Sequence, residues 1–218
     1  MTSVTKKSYD QYCGIAAALD RVGDRWTLLV MRELSFGERR FTDLRAALPG
    51  IATNLLTERL RDLEEDGLVE QRELPAPASR TVYALTEDGL RIRPVLRALF
   101  GFGLPYLGDA GDREVRPRMA VHGALSAVFD PAAASGIRLV VRFDLDGESD
   151  GLALQIEDGH LFRPGRDSEP DLVVSGSPAA LVEVCRGVAG LNEVGDRLHL
   201  KGSSSARRDF VRVFALAS

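Results

Sequence analysis

The sequence predicts an α+β protein in two parts: a helical half carrying one β-hairpin, and a second half of strands closed by helices. Three observations predict it. Between residues 12 and 66 the apolar residues return every three or four positions, the spacing of helices with one buried face. Two strand-like runs follow, Val69 to Leu74 and Arg80 to Leu85, separated by the stiff, proline-bearing segment 75–79. From residue 138 the period changes to two, with Leu139, Val141, Phe143 and Leu145 alternating with Arg138, Val140, Arg142 and Asp144.

A chain of 218 residues suits two domains of about 100 residues each. The polar, glycine-containing stretch 108–118 marks the junction, and the expected domains are 1–108 and 113–218. No apolar run reaches the roughly eighteen residues of a membrane span, and the first fourteen residues lack the apolar core of a secretory signal. A cytoplasmic location and no membrane partner are the expectation. Cys13 and Cys185 fall in different halves, which argues against a disulfide framework. The net charge is −4, yet residues 1–108 hold 15 basic and 15 acidic side chains against 13 and 17 in the rest, so the acidity belongs to the second half. A neutral first half binds a polyanion only if its arginines gather on one face.

Taken in order, Tyr12, Ile15, Ala16, Leu19 and Val22 mark a first helix that stops at Gly23. Asp24 is expected to cap a second, with Trp26, Leu29, Val30 and Leu34 on one face and a turn at residues 35–37. Residues 41–48 give a third, short helix with Thr42 as cap and Leu44 and Leu48 as its buried pair. After the break at Pro49 and Gly50 comes the most informative stretch, residues 53–66. Leu56, Leu60 and Leu63 form one stripe there, and Gly67 with Leu68 closes the helix. At 100° per residue, Asn54, Thr57, Glu58 and Arg61 point away from that stripe. The hairpin follows, and then Thr86 caps a closing helix with Leu90, Val95, Leu96, Leu99 and Phe100 as apolar positions. Helices, hairpin and closing helix make a winged helix-turn-helix, an arrangement that lays a helix in the major groove and the wing on the backbone.

The same region resembles the HxlR-type regulators over residues 9–107. The landmarks are Cys13, the Gly-Asp-Arg-Trp segment 23–26, FTDLRAALPGI from Phe41, LTERLRDLEEDGLVEQ from Leu56, and YALTEDG from Tyr83, in that order. The chain departs from that pattern at Gly14, where the family usually has proline, and at Ala52, where it often has serine. The resemblance implies a bacterial transcriptional regulator that works as a homodimer, with the first and last helices of the domain packed between subunits. It also implies, for some members, a thiol sensor at the position of Cys13; the alternative is a small buried residue.

The groups that can meet double-stranded DNA are Thr53, Asn54, Thr57, Glu58 and Arg61 on the helix and Arg80 on the wing. Asn54 suits adenine, and Arg61 suits guanine or phosphate. Thr53 and Thr57 suit phosphate or a thymine methyl. Glu58 repels phosphates unless it accepts from a cytosine amine or pairs with Arg61. Arg80 is placed for a phosphate or the minor groove, or is simply solvated.

In the second half, Leu152, Leu154 and Ile156 form another alternating strand, and Asp158-Gly159 turns into a third strand around residues 160–163. A strand at 172–175, a helix opened by Ser177-Pro178 with Leu181, Val182, Val184 and Cys185, a strand at 198–201 and a last helix with Phe210, Val213 and Phe214 complete it. Over residues 113–218 this order, with IEDG, PDLVVSGSPAAL and LHLKG, is similar to sterol carrier protein type two domains. That resemblance implies an apolar cavity for a lipid-like ligand; the alternative is a domain for dimerisation or spacing.

No enzyme is expected. His122, His160 and His199 have no partner at ligand spacing, and no H-E-x-x-H, G-x-S-x-G or P-loop pattern occurs. The acidic run 144–151 lacks a calcium loop's glycine and glutamate, having Ser149 and Gln155 instead, so neither metal nor cofactor is expected. The function read from the sequence is a dimeric DNA-binding regulator, a repressor, on a near-palindromic operator. Its acidic second domain modulates the reading helix. A lipid carrier or an interaction scaffold is the alternative.

Overall fold

Leu56, Leu60 and Leu63 lie at or below 1% exposure, and the N-terminal helices converge on them. The computed structural model describes residues 8–74, 80–108, 115–148, 151–165 and 168–217. The chain divides into two units, Met1–Leu96 and Arg97–Ser218. The hairpin tip at 75–79, much of the expected junction and Ser149 lie outside the described residues.

The first unit runs α1 (Gly14–Val22), α2 (Thr27–Ser35), α3 (Phe41–Ala47), α4 (Thr53–Glu65), β1 (Val69–Leu74), β2 (Arg80–Leu85) and α5 (Glu87–Leu90) into α6 (Ile92–Gly103). Its core joins Val30, Met31 and Leu34 of α2, Leu44 and Leu48 at α3, and the α4 leucines, with Val69 and Leu85 from the hairpin. Each such side chain contributes roughly 1.5–3 kcal/mol relative to exposure. The end of α4 is closed as the sequence predicts. Gly67 takes φ +70°, its N–H donates to the Glu64 carbonyl at 3.0 Å and that of Leu68 to Leu63 at 2.9 Å, so two carbonyls of the last turn are satisfied. The strands pair antiparallel from Val69 opposite Leu85 to Leu74 opposite Arg80. A bridge the sequence did not announce adds Arg39 to this sheet: its N–H and carbonyl bond Tyr83 at 2.9 and 2.7 Å.

Several local expectations are corrected. Tyr12 precedes α1, and Ile15 and Leu19 of its apolar stripe face solvent, leaving Ala16 and Val22 buried. Asp24 does not cap α2. Trp26 occupies that place with φ +79°, an uncommon conformation for a bulky residue, while the Asp24 carboxylate turns to Arg59. Thr42 lies inside α3; Arg40 is the cap residue, and its N–H donates to Asp43 at 3.2 Å. Thr86 does cap, accepting from the Gly89 N–H at 3.0 Å, but only the single turn α5. The closing helix is therefore two helices, and Leu90, Val95 and Leu99 are exposed rather than core.

The second unit holds β3 (Arg138–Leu145), β4 (Leu152–Glu157), β5 (His160–Phe162), β6 (Leu172–Gly176), α7 (Pro178–Cys185), β7 (Leu198–Gly202) and α8 (Ser204–Val213). One five-stranded sheet has the order β5-β4-β3-β6-β7, antiparallel except where β3 meets β6. Asp158 and Gly159, both at positive φ, make the tight turn between β4 and β5. The Asp171 carboxylate accepts from the Val140 N–H at 2.8 Å, which fixes where β6 starts against β3. Ser177 caps α7 through Ala180. The inner face packs Phe143, Phe210 and Phe214, all fully buried, with ring centroids 6.4 and 5.1 Å apart along that series. A wide-turned helical segment, Met119–Leu125, also covers this core. Its apolar residues show no single stripe, because Ala120, Val121, Ala124 and Leu125 are all buried. A β-carbon on its Gly123 would meet the Phe100 ring at 2.4 Å, so close approach requires glycine there.

Candidate nucleic-acid interface

Because Leu56, Leu60 and Leu63 bury one face of α4, the opposite face is presented to solvent, and Thr53, Asn54, Thr57, Glu58 and Arg61 are all exposed on it. The sequence-derived residues on this helix are thus brought together on one surface. Arg80, also exposed, begins β2 at the loop end of the hairpin, opposite Leu74.

The chemistry of α4 changes along its length. Its first five residues carry no charge, and the cap residue Ala52 supplies no side-chain hydrogen bond. The first-turn N–H groups therefore receive no bond from the cap side chain, and with the positive end of the helix dipole this favours an anion. The Thr57 hydroxyl donates to the Thr53 carbonyl at 3.0 Å, which turns its methyl and the oxygen's remaining lone pairs outward. From Glu58 onward the helix is acidic, with Glu58, Asp62, Glu64 and Glu65 against Arg59 and Arg61. The uncharged surface of the helix is accordingly its N-terminal half, and Arg61 is the exposed cation beyond it.

Arg59 is the residue that sequence reasoning missed. Its side chain is 13% exposed and reaches three carboxylates: Asp24 at 3.0 Å, Asp62 at 2.7 Å and Glu58 at 3.4 Å. Glu58 therefore pairs with Arg59, not with Arg61 as one reading allowed. The cluster ties α4 to the 23–26 segment and neutralises part of its acidity. Only the i, i+3 spacing to Asp62 is visible in the sequence; Asp24 is brought in by the fold. Arg61, 65% exposed, has Asp62 at 3.5 Å and Glu65 at 3.7 Å. Contacts so exposed are weak, leaving the guanidinium able to exchange them for a groove edge. Next to Asp24, the Trp26 indole packs against the core beside the turn that feeds α4; a β-carbon on Gly50, itself at φ +90°, would lie 3.9 Å from that ring.

Residues 21–110 match the family model described as HxlR-like helix-turn-helix. An HTH-type transcriptional regulator of Synechocystis is 41% identical over 95 residues, which are 44% of this chain and 70% of that protein. The chain belongs to the HxlR-like helix-turn-helix family. A second relative, an HTH-type regulator of Methanothermobacter thermautotrophicus, is 36% identical over 98 residues, 44% of this chain and 75% of that one. The HTH-type transcriptional regulator YodB of Bacillus subtilis is 32% identical over 83 residues, 38% and 74% of the two chains. The family match spans α2 through α6, which includes every candidate interface residue, and leaves the sheet of the second unit outside it.

Cys13, in the HxlR-type pattern but before the matched span, caps α1 and is exposed, where packing was the favoured expectation. Backbone N–H groups of Ala16 and Ile15 hold its thiol below the ordinary cysteine value, whereas burial pushes Cys185 up to about 12. Iodoacetamide at neutral pH is expected to alkylate Cys13 about a hundredfold faster than Cys185 or more, because burial both shields the Cys185 thiol and holds it protonated. Mass spectrometry of timed samples checks this; comparable rates would refute the environments described. Among the described residues no group of three or more His, Cys, Asp or Glu side chains is placed to hold a metal, and no helix is long and apolar enough to cross a membrane.

Proposed function

We propose that the protein is a sequence-specific DNA-binding transcriptional regulator that works as a homodimer, with α4 as its recognition helix and the β1–β2 hairpin as its wing. The observation that carries this reading is the exposed, uncharged and uncapped first half of α4, held outward by three buried leucines. Membership of a family whose relatives are named transcriptional regulators supports it. Asn54 and Arg61 read bases, Thr53 and Thr57 hold phosphate or a thymine methyl, and Arg80 holds a phosphate from the wing. Glu58, engaged by Arg59, supports the helix.

The dimer reading is supported by two uncovered apolar stripes. Ile15 and Leu19 on α1, and Val95, Leu99 and Phe102 on α6, are spaced to lie on one face each, with exposures as high as 73% for Ile15 and 70% for Phe102. A two-fold pair presents its reading helices to a near-palindromic operator, half-site centres about one helical turn apart or a multiple of it. Occupancy of such a site represses by excluding the polymerase.

The second unit is read as a sterol-carrier-like sensor. Its order of strand, Asp-Gly turn, β6, proline-opened helix, β7 and last helix supports this. An apolar ligand entering between sheet and helices displaces the Phe143, Phe210 and Phe214 rings, and it alters DNA binding only by preferring one dimer geometry.

A footprint on the DNA flanking the gene tests the proposal. The expected result is a protected, near-palindromic segment whose occupancy falls steeply with salt. Asn54→Ala and Arg61→Ala are each expected to weaken that site by about 1–3 kcal/mol while leaving unrelated duplexes unaffected; an Arg61→Ala loss equal on all duplexes assigns Arg61 to phosphate. A protein that retains apolar ligand but shows no salt-sensitive preference for this DNA is a carrier, and the proposal fails.

A further inference from the structure

The second unit is acidic, and its arginines are mostly spoken for. Arg118 faces Glu148 at 3.6 Å, Arg138 faces Glu157 at 4.0 Å, Arg142 faces Asp144 at 3.0 Å and Arg197 faces Glu183 at 2.7 Å, while Arg186 donates to the Gly108 carbonyl at 2.7 Å. Helix α8 breaks this pattern. Arg207, Arg208 and Arg212 are exposed, and among the described residues none of them has a carboxylate at ion-pair distance; Arg207 donates to the Gly202 carbonyl at 3.2 Å. Together with Val211 they line a groove of about 300 Å³.

Helical geometry explains why these side chains gather. Ala206, Phe210 and Val213 are the buried face of α8. At 100° per residue, Arg207, Arg208, Val211 and Arg212 fill an arc of about 140° centred opposite that face. Asp209, the only carboxylate of the helix, falls outside the arc and is half-buried on its flank. All four described lining residues come from one helix, so among the described residues there is no facing wall to enclose a small ligand, which a small-molecule site requires. An open cationic face suits an extended polyanion. Arg208 and Arg212 are about 6 Å apart along the helix axis, a span that covers about two successive phosphates of one DNA strand. Guanidinium forks match phosphate oxygens in pairs.

We propose that this arginine face of α8 is a second, sequence-independent docking surface for the phosphate backbone of duplex DNA. It rests on the DNA-binding reading above and adds to it: the acidic unit itself holds the duplex, through one locally basic helix, as well as modulating the reading heads. Val211 and the arginine stems form an apolar floor that keeps the guanidiniums at the rim.

The test measures binding of the full chain to its footprinted site and to an unrelated duplex across a salt series. Arg207→Ala, Arg208→Ala and Arg212→Ala are combined in one variant, the corresponding three Lys replacements in a second, and Arg208→Glu alone makes a third. The all-Ala variant is expected to show a slope of log K against log salt shallower by about 2–3 per protomer, about 4–6 for the homodimer, since each phosphate contact contributes about 0.9. Its affinity should fall by the same factor, tenfold or more at low salt, on both duplexes. The Lys variant should keep most of the slope, and Arg208→Glu should lose affinity on both duplexes with an unchanged circular-dichroism melt. An unchanged slope in the all-Ala variant overturns the inference while the recognition-helix reading stands. So does a wild type that binds phosphatidylserine-containing vesicles through these arginines with DNA binding unaffected. A wild type with no salt-sensitive DNA binding sinks both readings.

Discussion

Leu60→Ala is expected to destabilise the N-terminal unit by about 3 kcal/mol, within the usual range for deleting a buried leucine side chain. Leu60 is 1% exposed among Leu56, Leu63 and the α2 and α3 core, a setting too tightly tied by helix ends and hairpin to collapse into the cavity. For a unit of this size that loss lowers the melting midpoint by roughly 15 °C. The sole tryptophan makes the measurement specific, because Trp26 packs against this core and its fluorescence reports the first unit alone. Operator affinity per folded molecule should stay close to wild type at low temperature, as Leu60 lies on the buried face of α4, opposite the proposed DNA contacts. A midpoint within 2 °C of wild type would mean that α4 is not anchored by this stripe.

The second large effect concerns association. Ile15→Asp combined with Val95→Asp should raise the dimer dissociation constant at least about a hundredfold, which is about 2.8 kcal/mol, because each aspartate must be desolvated without a partner. Both positions are exposed in the single chain, so its melting should not change. Sedimentation velocity over a concentration series reads the shift from dimer to monomer, and operator affinity should fall with it as one half-site is lost. If the double variant sediments like wild type at every concentration, the stripes on α1 and α6 are not the interface.

Much of this was legible beforehand. The leucine stripe of α4, its glycine stop, both hairpin strands with their bounds, and the strands and proline-opened helix of the second unit follow from period, punctuation and capping chemistry. These are properties of a few neighbouring residues. Other features were not legible for a physical reason. The cap that Asp24 was expected to supply is absent because its carboxylate gains a nearly buried arginine 35 positions later in the chain, Arg59, once α4 packs nearby. The segment Met119–Leu125 shows no stripe because five of its seven residues are buried, leaving only Met119 and His122 half-buried.

What the sequence by itself determined is the helix over residues 53–65, the side chains on its outer face, and family membership across residues 21–110, because local periodicity and motif spacing are one-dimensional signals. What only the tertiary structure decided is charge and exposure. Composition made the first unit neutral and the second acidic. Folding confined the neutral, uncapped part of α4 to its first half, assigned Arg59 to three carboxylates, left the stripes of α1 and α6 uncovered and set together on α8 three arginines with no carboxylate at ion-pair distance among the described residues. A charge acts on what lies within a few ångströms of it, and those neighbours come from distant parts of the chain.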